Sequence, residues 1–152
     1  MLSINVKKEI NAPRQVVFER ATDLGAWAEQ ISAIERVEVL TDGPVGVGTR
    51  FKETRTMFKR EATEEMTFVE FDPPNRYAVD AHSCGSDYHT VFEFHERDGM
   101  TEVSMTFNAT PVTFMAKIMS VVFGFMCKSL AKMVAKDLDD LAVCAEKAGH
   151  TE

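Results

Sequence analysis

Cysteine is scarce in this chain: 3 in 152 residues, at Cys84, Cys127 and Cys144. The number is odd and the spacing matches no metal-ligand pattern, which argues against a disulfide framework or a cysteine metal site. No secretory leader pattern opens the sequence, so a reduced, cytoplasmic setting is expected. Basic charge is also short: 17 Lys and Arg stand against 24 Asp and Glu, for a net charge of -7. Nucleic-acid binders carry a basic face, so nucleic acid is not expected as a partner. Long apolar runs are missing as well. The longest in the C-terminal region, Ile118 to Cys127, falls well below the ~20 residues that a membrane span needs. There is no nucleophile elbow, phosphate loop, dinucleotide fingerprint or HExxH motif, so no cofactor is implied and no catalytic residue is assigned. No repeat, linker or low-complexity segment divides the chain, and one domain over residues 1–152 is expected.

What the chain does have is alternation. Leu2, Ile4, Val6 and Ile10 are separated by polar residues, which reads as a half-buried strand. Asn11-Ala12-Pro13 should open a helix, Asn as cap and Pro in the first turn, with Val16, Val17, Phe18 and Ala21 inward. A second short helical piece follows over Trp27 to Ile31. Glu35 to Leu40 alternates again. After a loop with three glycines, further strands are expected over Thr49–Lys59, Ala62–Phe71, Arg76–Cys84, Tyr88–Glu96 and Thr101–Thr110. Phe92 and Phe94 alternate with Glu93 and His95, and Val103, Met105 and Phe107 alternate likewise. Such alternation describes an antiparallel sheet with one dry face and one wet face.

From Phe114 to Lys147 the pattern changes to three- and four-residue steps. The stretch lacks proline and holds one glycine, Gly124. As a single helix it would span about 50 Å. Met115, Met119, Val122, Met126, Met133 and Leu141 give it an apolar stripe, while Lys128, Lys132, Asp139 and Glu146 fall opposite. The expected fold class is α+β: a curved antiparallel sheet of six to seven strands wrapped around a long C-terminal helix.

Several segments resemble the START-related, birch-pollen-allergen-like SRPBCC superfamily, in its polyketide cyclase/dehydrase-like branch. They are APRQVVFERATD with Trp27 after it, the GPVGVGTRF junction, EFDPPNRY at a strand end, and the amphipathic C-terminal helix. The resemblance covers essentially the whole chain. It implies a helix-grip fold with a deep apolar cavity. Members bind lipids, polyketides, sterols and other hydrophobic molecules, and some cyclise or dehydrate them. Fold does not by itself settle function.

Strand parity nominates the cavity lining. Phe92, Phe94, Met105, Phe107 and Met66 or Phe68 should point inward, met by Met119, Val122, Met126 and Met133 of the helix. With 9 Met and 11 Phe, the composition suits an adaptable apolar surface, although the same residues would also fill a solid core. Glu53 and Arg55 share a strand side with Phe51. If that side faces in, the sheet carries a buried acid–base pair able to orient a ligand or move a proton. In the other register Thr54 and Thr56 face in. In HSCGSDYH a turn at Gly85-Ser86 would set His82 opposite His89, a pair open to a soft divalent metal. The dry side claimed by Phe92 and Phe94 makes these histidines outer-surface residues, and no metal is expected. A longer loop would put Tyr88 near a cavity mouth. Asp137 falls by helical angle within the apolar face, but a kink at Gly124 would turn it out, and the solvated position is the expected one.

Three functions fit these features. The first is binding of a small hydrophobic ligand between sheet and helix. The second is a cyclase/dehydrase using Glu53, Arg55 or Tyr88. The third is a homodimer docked through the all-round apolar surface of Phe114 to Met126.

Overall fold

The computed structural model describes residues 2–57, 59–83, 86–113 and 131–148. Met119, Val122, Met126, Gly124 and the proposed docking surface Phe114 to Met126 lie outside the described residues, as do Cys84 and Cys127.

Seven strands form one sheet. They are β1 (Leu2–Ile10), β2 (Ile34–Val39), β3 (Arg50–Met57), β4 (Arg60–Asp72), β5 (Arg76–Ser83), β6 (Ser86–Arg97) and β7 (Met100–Pro111). The spatial order is β1-β7-β6-β5-β4-β3-β2, and every neighbouring pair is antiparallel. From β2 to β7 the chain is a meander. β1 then adds on the far side, so β1 and β2 are opposite edges. The segment that joins those edges carries helix α1 (Arg14–Ala21), a 3-10 turn (Leu24–Ala26) and helix α2 (Trp27–Gln30). Irregularities between Ile34 and Arg36 and between Phe68 and Glu70 are bulges of the kind that bend a sheet. The last described helix, α3, covers residues 131–148.

The local chemistry explains these elements. In β1, Ile4 and Ile10 are buried while Ser3, Asn5 and Glu9 are exposed, which is the period-2 signature of a one-sided strand. Arg97 faces Met100 across the Asp98-Gly99 turn, and both turn residues have positive φ (55° and 79°). That geometry is the hairpin turn whose twist matches the strands it joins. Asn11 does not cap α1. Pro13 is the residue before the helix and offers no side-chain acceptor. The Arg14 amide donates instead to Glu96 Oε1 at 2.7 Å, and the Asn11 amide donates to Glu146 Oε1 at 3.0 Å.

The β5–β6 hairpin corrects one expected register. Ser83 faces Ser86, so His82 lies opposite Asp87 and His89 opposite Asp80. This pairing differs from the one that a turn at Gly85-Ser86 requires, in which His82 faces His89. Each shift of a turn by one residue moves the facing partner by two, and the two histidines therefore do not meet.

The turn end of the sheet, beside α1, is filled solid. Phe18 meets Phe71, Tyr77 and Phe94 edge-on at 5.5, 5.9 and 5.2 Å. Ile10, Val17, Phe68, Val103 and Leu138 are fully buried with them. Burying each such side chain contributes about 1.5–3 kcal/mol. The helix α3 lies over the same inner face with Val134, Leu138, Leu141, Ala142 and Ala145 inward. It is pinned near both sheet edges. Lys8 pairs with Asp139 at 3.0 Å on the β1 side. On the α2 side, the Ser32 amide and hydroxyl donate to Asp140 Oδ2 at 3.0 and 2.9 Å.

Candidate functional site

Towards the opposite end, where β3 meets β4 and β5 meets β6, the inner face of the sheet and α3 line a cavity of about 420 Å³. The inward side chains explain why. The filled end carries phenylalanines at Phe18, Phe68 and Phe94, whereas Ala62, Ser86, Thr90 and Ala109 line the open end. Small side chains on the inner face leave volume that close packing would otherwise remove. The remaining walls are apolar: Phe51, Met66, Phe92, Met105 and Phe107 from the sheet, and Met133, Val134, Leu138 and Leu141 from α3. Trp27 and Ile31 close one flank. The wall rings stand in ordered pairs. Tyr77 stacks on Phe92 at 4.6 Å and 14°, Tyr88 stacks on Phe107 at 5.6 Å and 23°, and Trp27 meets Phe51 edge-on at 5.5 Å. The Trp27 indole donates to the Ala21 carbonyl at 3.2 Å, which holds the ring in place.

Charged side chains interrupt the apolar wall: Arg20 and Glu64 line it, and Glu53, Arg55 and Asp137 form a linked cluster. Glu53 and Arg55 face inward from β3, with Glu53 5% exposed. Arg55 Nε and Nη2 both donate to Glu53 Oε1, at 3.0 and 2.6 Å. Its Nη1 donates to Asp137 Oδ2 of α3 at 2.9 Å. Arg55 and Asp137 each keep 18% of their side-chain area. Burial works against the Arg55 charge, but Glu53 and then Asp137 outweigh it and hold the guanidinium protonated beyond its ordinary range. Asp137 is also shifted upward, which for a carboxyl means toward its neutral form. Burial, with the Glu53 charge adding to it, pushes its carboxyl above the usual carboxylate value despite Arg55. Burial also raises the Tyr77 hydroxyl, with a smaller push from Glu53. Two buried oxygens at this flank, Asp137 Oδ1 and Gln30 Oε1, receive no hydrogen bond among the described residues.

Residues 1–146 match the polyketide cyclase / dehydrase and lipid transport family. The chain belongs to this family. No curated protein sequence matches the chain, but solved structures share its fold. TTHA0849 from Thermus thermophilus superposes with a TM-score of 0.81 at 18% identity, over 97% of this chain and 99% of that one. The Zhui aromatase/cyclase from Streptomyces sp. R1128 gives 0.76 at 15% identity, over 96% and 94%. A hypothetical protein, jhp0584, from Helicobacter pylori gives 0.76 at 13%, over 95% and 88%. The fold is the helix-grip arrangement: an antiparallel sheet, short helices after the first strand, and a C-terminal helix over the inner face.

In this family member the structure gathers Phe51, Glu53, Arg55, Met66, Tyr88, Phe92, Met105, Phe107 and Met133 around one cavity. Phe68 and Phe94 share their parity but do not reach it. They are 0% and 1% exposed in the filled core, because they sit further along their strands toward the α1 end. Asp137 corrects the solvated placement: it faces in, since the turn of α3 that carries Val134, Leu138 and Leu141 inward carries it too. Thr54 is also buried, on the other side of the sheet, where its hydroxyl and that of Thr63 share a hydrogen bond at 2.8 Å. Trp27, Gln30, Ile31 and Tyr77 line the cavity without having been singled out. Tyr77 had a legible signal, alternating with the inward Val79 on β5; the other three depend on how the α2 segment docks. The outer-face histidines are each matched to a carboxylate, His82 Nδ1 with Asp87 Oδ1 at 2.6 Å and His89 Nδ1 with Asp80 Oδ1. Among the described residues no group of His, Cys, Asp and Glu is placed to hold a metal, and no helix is long and apolar enough to cross a membrane.

Proposed function

We propose that this chain binds a small hydrophobic molecule in the cavity between sheet and helix. The observation that carries the reading is the cavity itself: about 420 Å³ walled by paired aromatic rings and methionine, within the size range and lining of small-molecule sites. Stacked rings offer flat faces, and Met66, Met105 and Met133 adapt to shape. A lipid, a polyketide or a similar apolar body suits such walls, and the family's range supports this breadth. The reading places the protein in the cytoplasm, in keeping with its cysteine usage.

The chain has 1 Trp, and Trp27 lines the cavity, so its fluorescence reports occupancy. Titration with 1-dodecanol and with 2-methylnaphthalene should change Trp27 emission saturably and raise the melting temperature. Organic extraction of the purified protein followed by mass spectrometry should recover an apolar molecule. Absence of both a saturable signal and a co-purified compound would defeat the reading.

A second reading, catalysis of the cyclase/dehydrase type on the bound molecule, is favoured by one observation. Glu53, Arg55 and Asp137 form a linked acid–base set at the cavity wall, and burial raises the Asp137 carboxyl in the direction that favours proton donation. The homodimer expectation rests on residues outside those described.

A further inference from the structure

The flank that holds the charged cluster is an acceptor-rich wall. Arg55 is the cation of the cluster, and its charge is already shared between Glu53 and Asp137. One positive group between two carboxyls leaves the cluster with a surplus of negative charge whenever Asp137 is ionised. The unmatched hydrogen-bonding capacity is of the same kind. Asp137 Oδ1 and Gln30 Oε1 are buried acceptors that receive no donor among the described residues, and both residues line the cavity. They belong to one flank. Gln30 lies two residues before Ser32, and Ser32 donates to Asp140, three residues beyond Asp137.

Buried polar atoms in folded proteins are nearly always hydrogen-bonded, and an orphan is costly. A partner that brings a donor relieves that cost; one that brings another acceptor or a negative charge adds to it. Aspartate χ2 is a broad torsion, so the carboxyl can tip Oδ1 toward a donor while Oδ2 keeps Arg55. Gln30 is less selective, because its amide can present either end.

We propose that this flank selects the polar end of the cavity's ligand, accepting a hydroxyl or an amine and rejecting a carboxylate. The class implied is an apolar, ring-bearing or chain-like alcohol, phenol or amine, as opposed to a fatty or aromatic acid. The inference rests on the binding reading above and narrows it.

The test is a matched series with one apolar body and four ends: 2-naphthylmethanol, 2-naphthylmethylamine, 2-naphthoate and 2-methylnaphthalene, each titrated into the full chain by calorimetry. The alcohol and the amine are expected to bind about tenfold or more tighter than the naphthoate, a difference of ~1.4 kcal/mol, with the methyl compound between. Asp137→Asn should erase most of the amine's advantage and improve naphthoate binding. Gln30→Leu, which leaves the charged cluster alone, should weaken the alcohol and leave naphthoate rejection intact. Naphthoate binding as tightly as the alcohol while the methyl compound also binds overturns this inference and spares the cavity reading. No binding by any of the four overturns both.

Discussion

Arg55 Nη1 donates to Asp137 Oδ2 at 2.9 Å across 82 positions of sequence, and this bond ties strand β3 to helix α3 at the wall of the cavity. Glu53 completes the link from the strand side. The pair therefore has two roles: it joins the two halves of the grip, and it sets the charge that a guest meets.

Removing the shared cation should be more damaging than removing the whole cluster. Arg55→Met leaves Glu53 and Asp137 facing each other in a largely dry site, and breaking a buried ion pair from one side costs about 3–5 kcal/mol. The 18% residual exposure favours the lower end of that range. The triple variant Glu53→Gln, Arg55→Met, Asp137→Asn should recover part of the loss, since no uncompensated charge remains. Urea denaturation checks this, and a triple variant less stable than Arg55→Met alone would contradict it.

The titration of Asp137 should appear as a pH-dependent difference. Its ordinary value is 3.8, and burial raises it in the fold. A group with a raised folded value contributes most to stability below its unfolded value, and the contribution is lost as pH rises through the folded value. Wild type should therefore gain stability relative to Asp137→Asn as pH falls from about 8 to about 4. Denaturation midpoints of the two proteins across that range decide the matter. A relative gain in the opposite direction would mean that Arg55 dominates over burial.

Core and cavity wall should respond differently to truncation. Phe68→Ala removes a fully buried ring from the filled end and should cost about 3–5 kcal/mol, with little change in the affinity of bound 2-methylnaphthalene. Phe107→Ala removes a half-buried wall ring that stacks on Tyr88. It should cost under about 2 kcal/mol and weaken that binding several-fold. Equal stability losses with no change in binding would show that the wall packs as core.

Much of this was legible along the chain. The alternation of Phe92 and Phe94 with Glu93 and His95 placed β6 with its dry side inward, and the same parity placed Met105 and Phe107; for Phe51, Glu53 and Arg55 it left two registers open, and the structure turns them inward. Parity could not say how far along a strand the filled core ends, so Phe68 and Phe94 were grouped with Phe92 although they sit in solid packing. The pairing of β5 with β6, which sets His82 opposite Asp87, separated His82 from His89. Asp137 was assigned to solvent because the rotation of a helix about its axis depends on what it packs against, here Val134, Leu138 and Leu141 seated on the sheet.

The order of elements, the wet and dry sides of β6 and β7 and the apolar stripe of α3 came from the sequence alone, because backbone geometry repeats every two residues in a strand and every 3.6 in a helix. The cavity and its charged flank were decided only in three dimensions. They arise where small residues from several strands share the inner face and where β3 meets α3, and such meetings depend on register and docking angle, which no local period encodes.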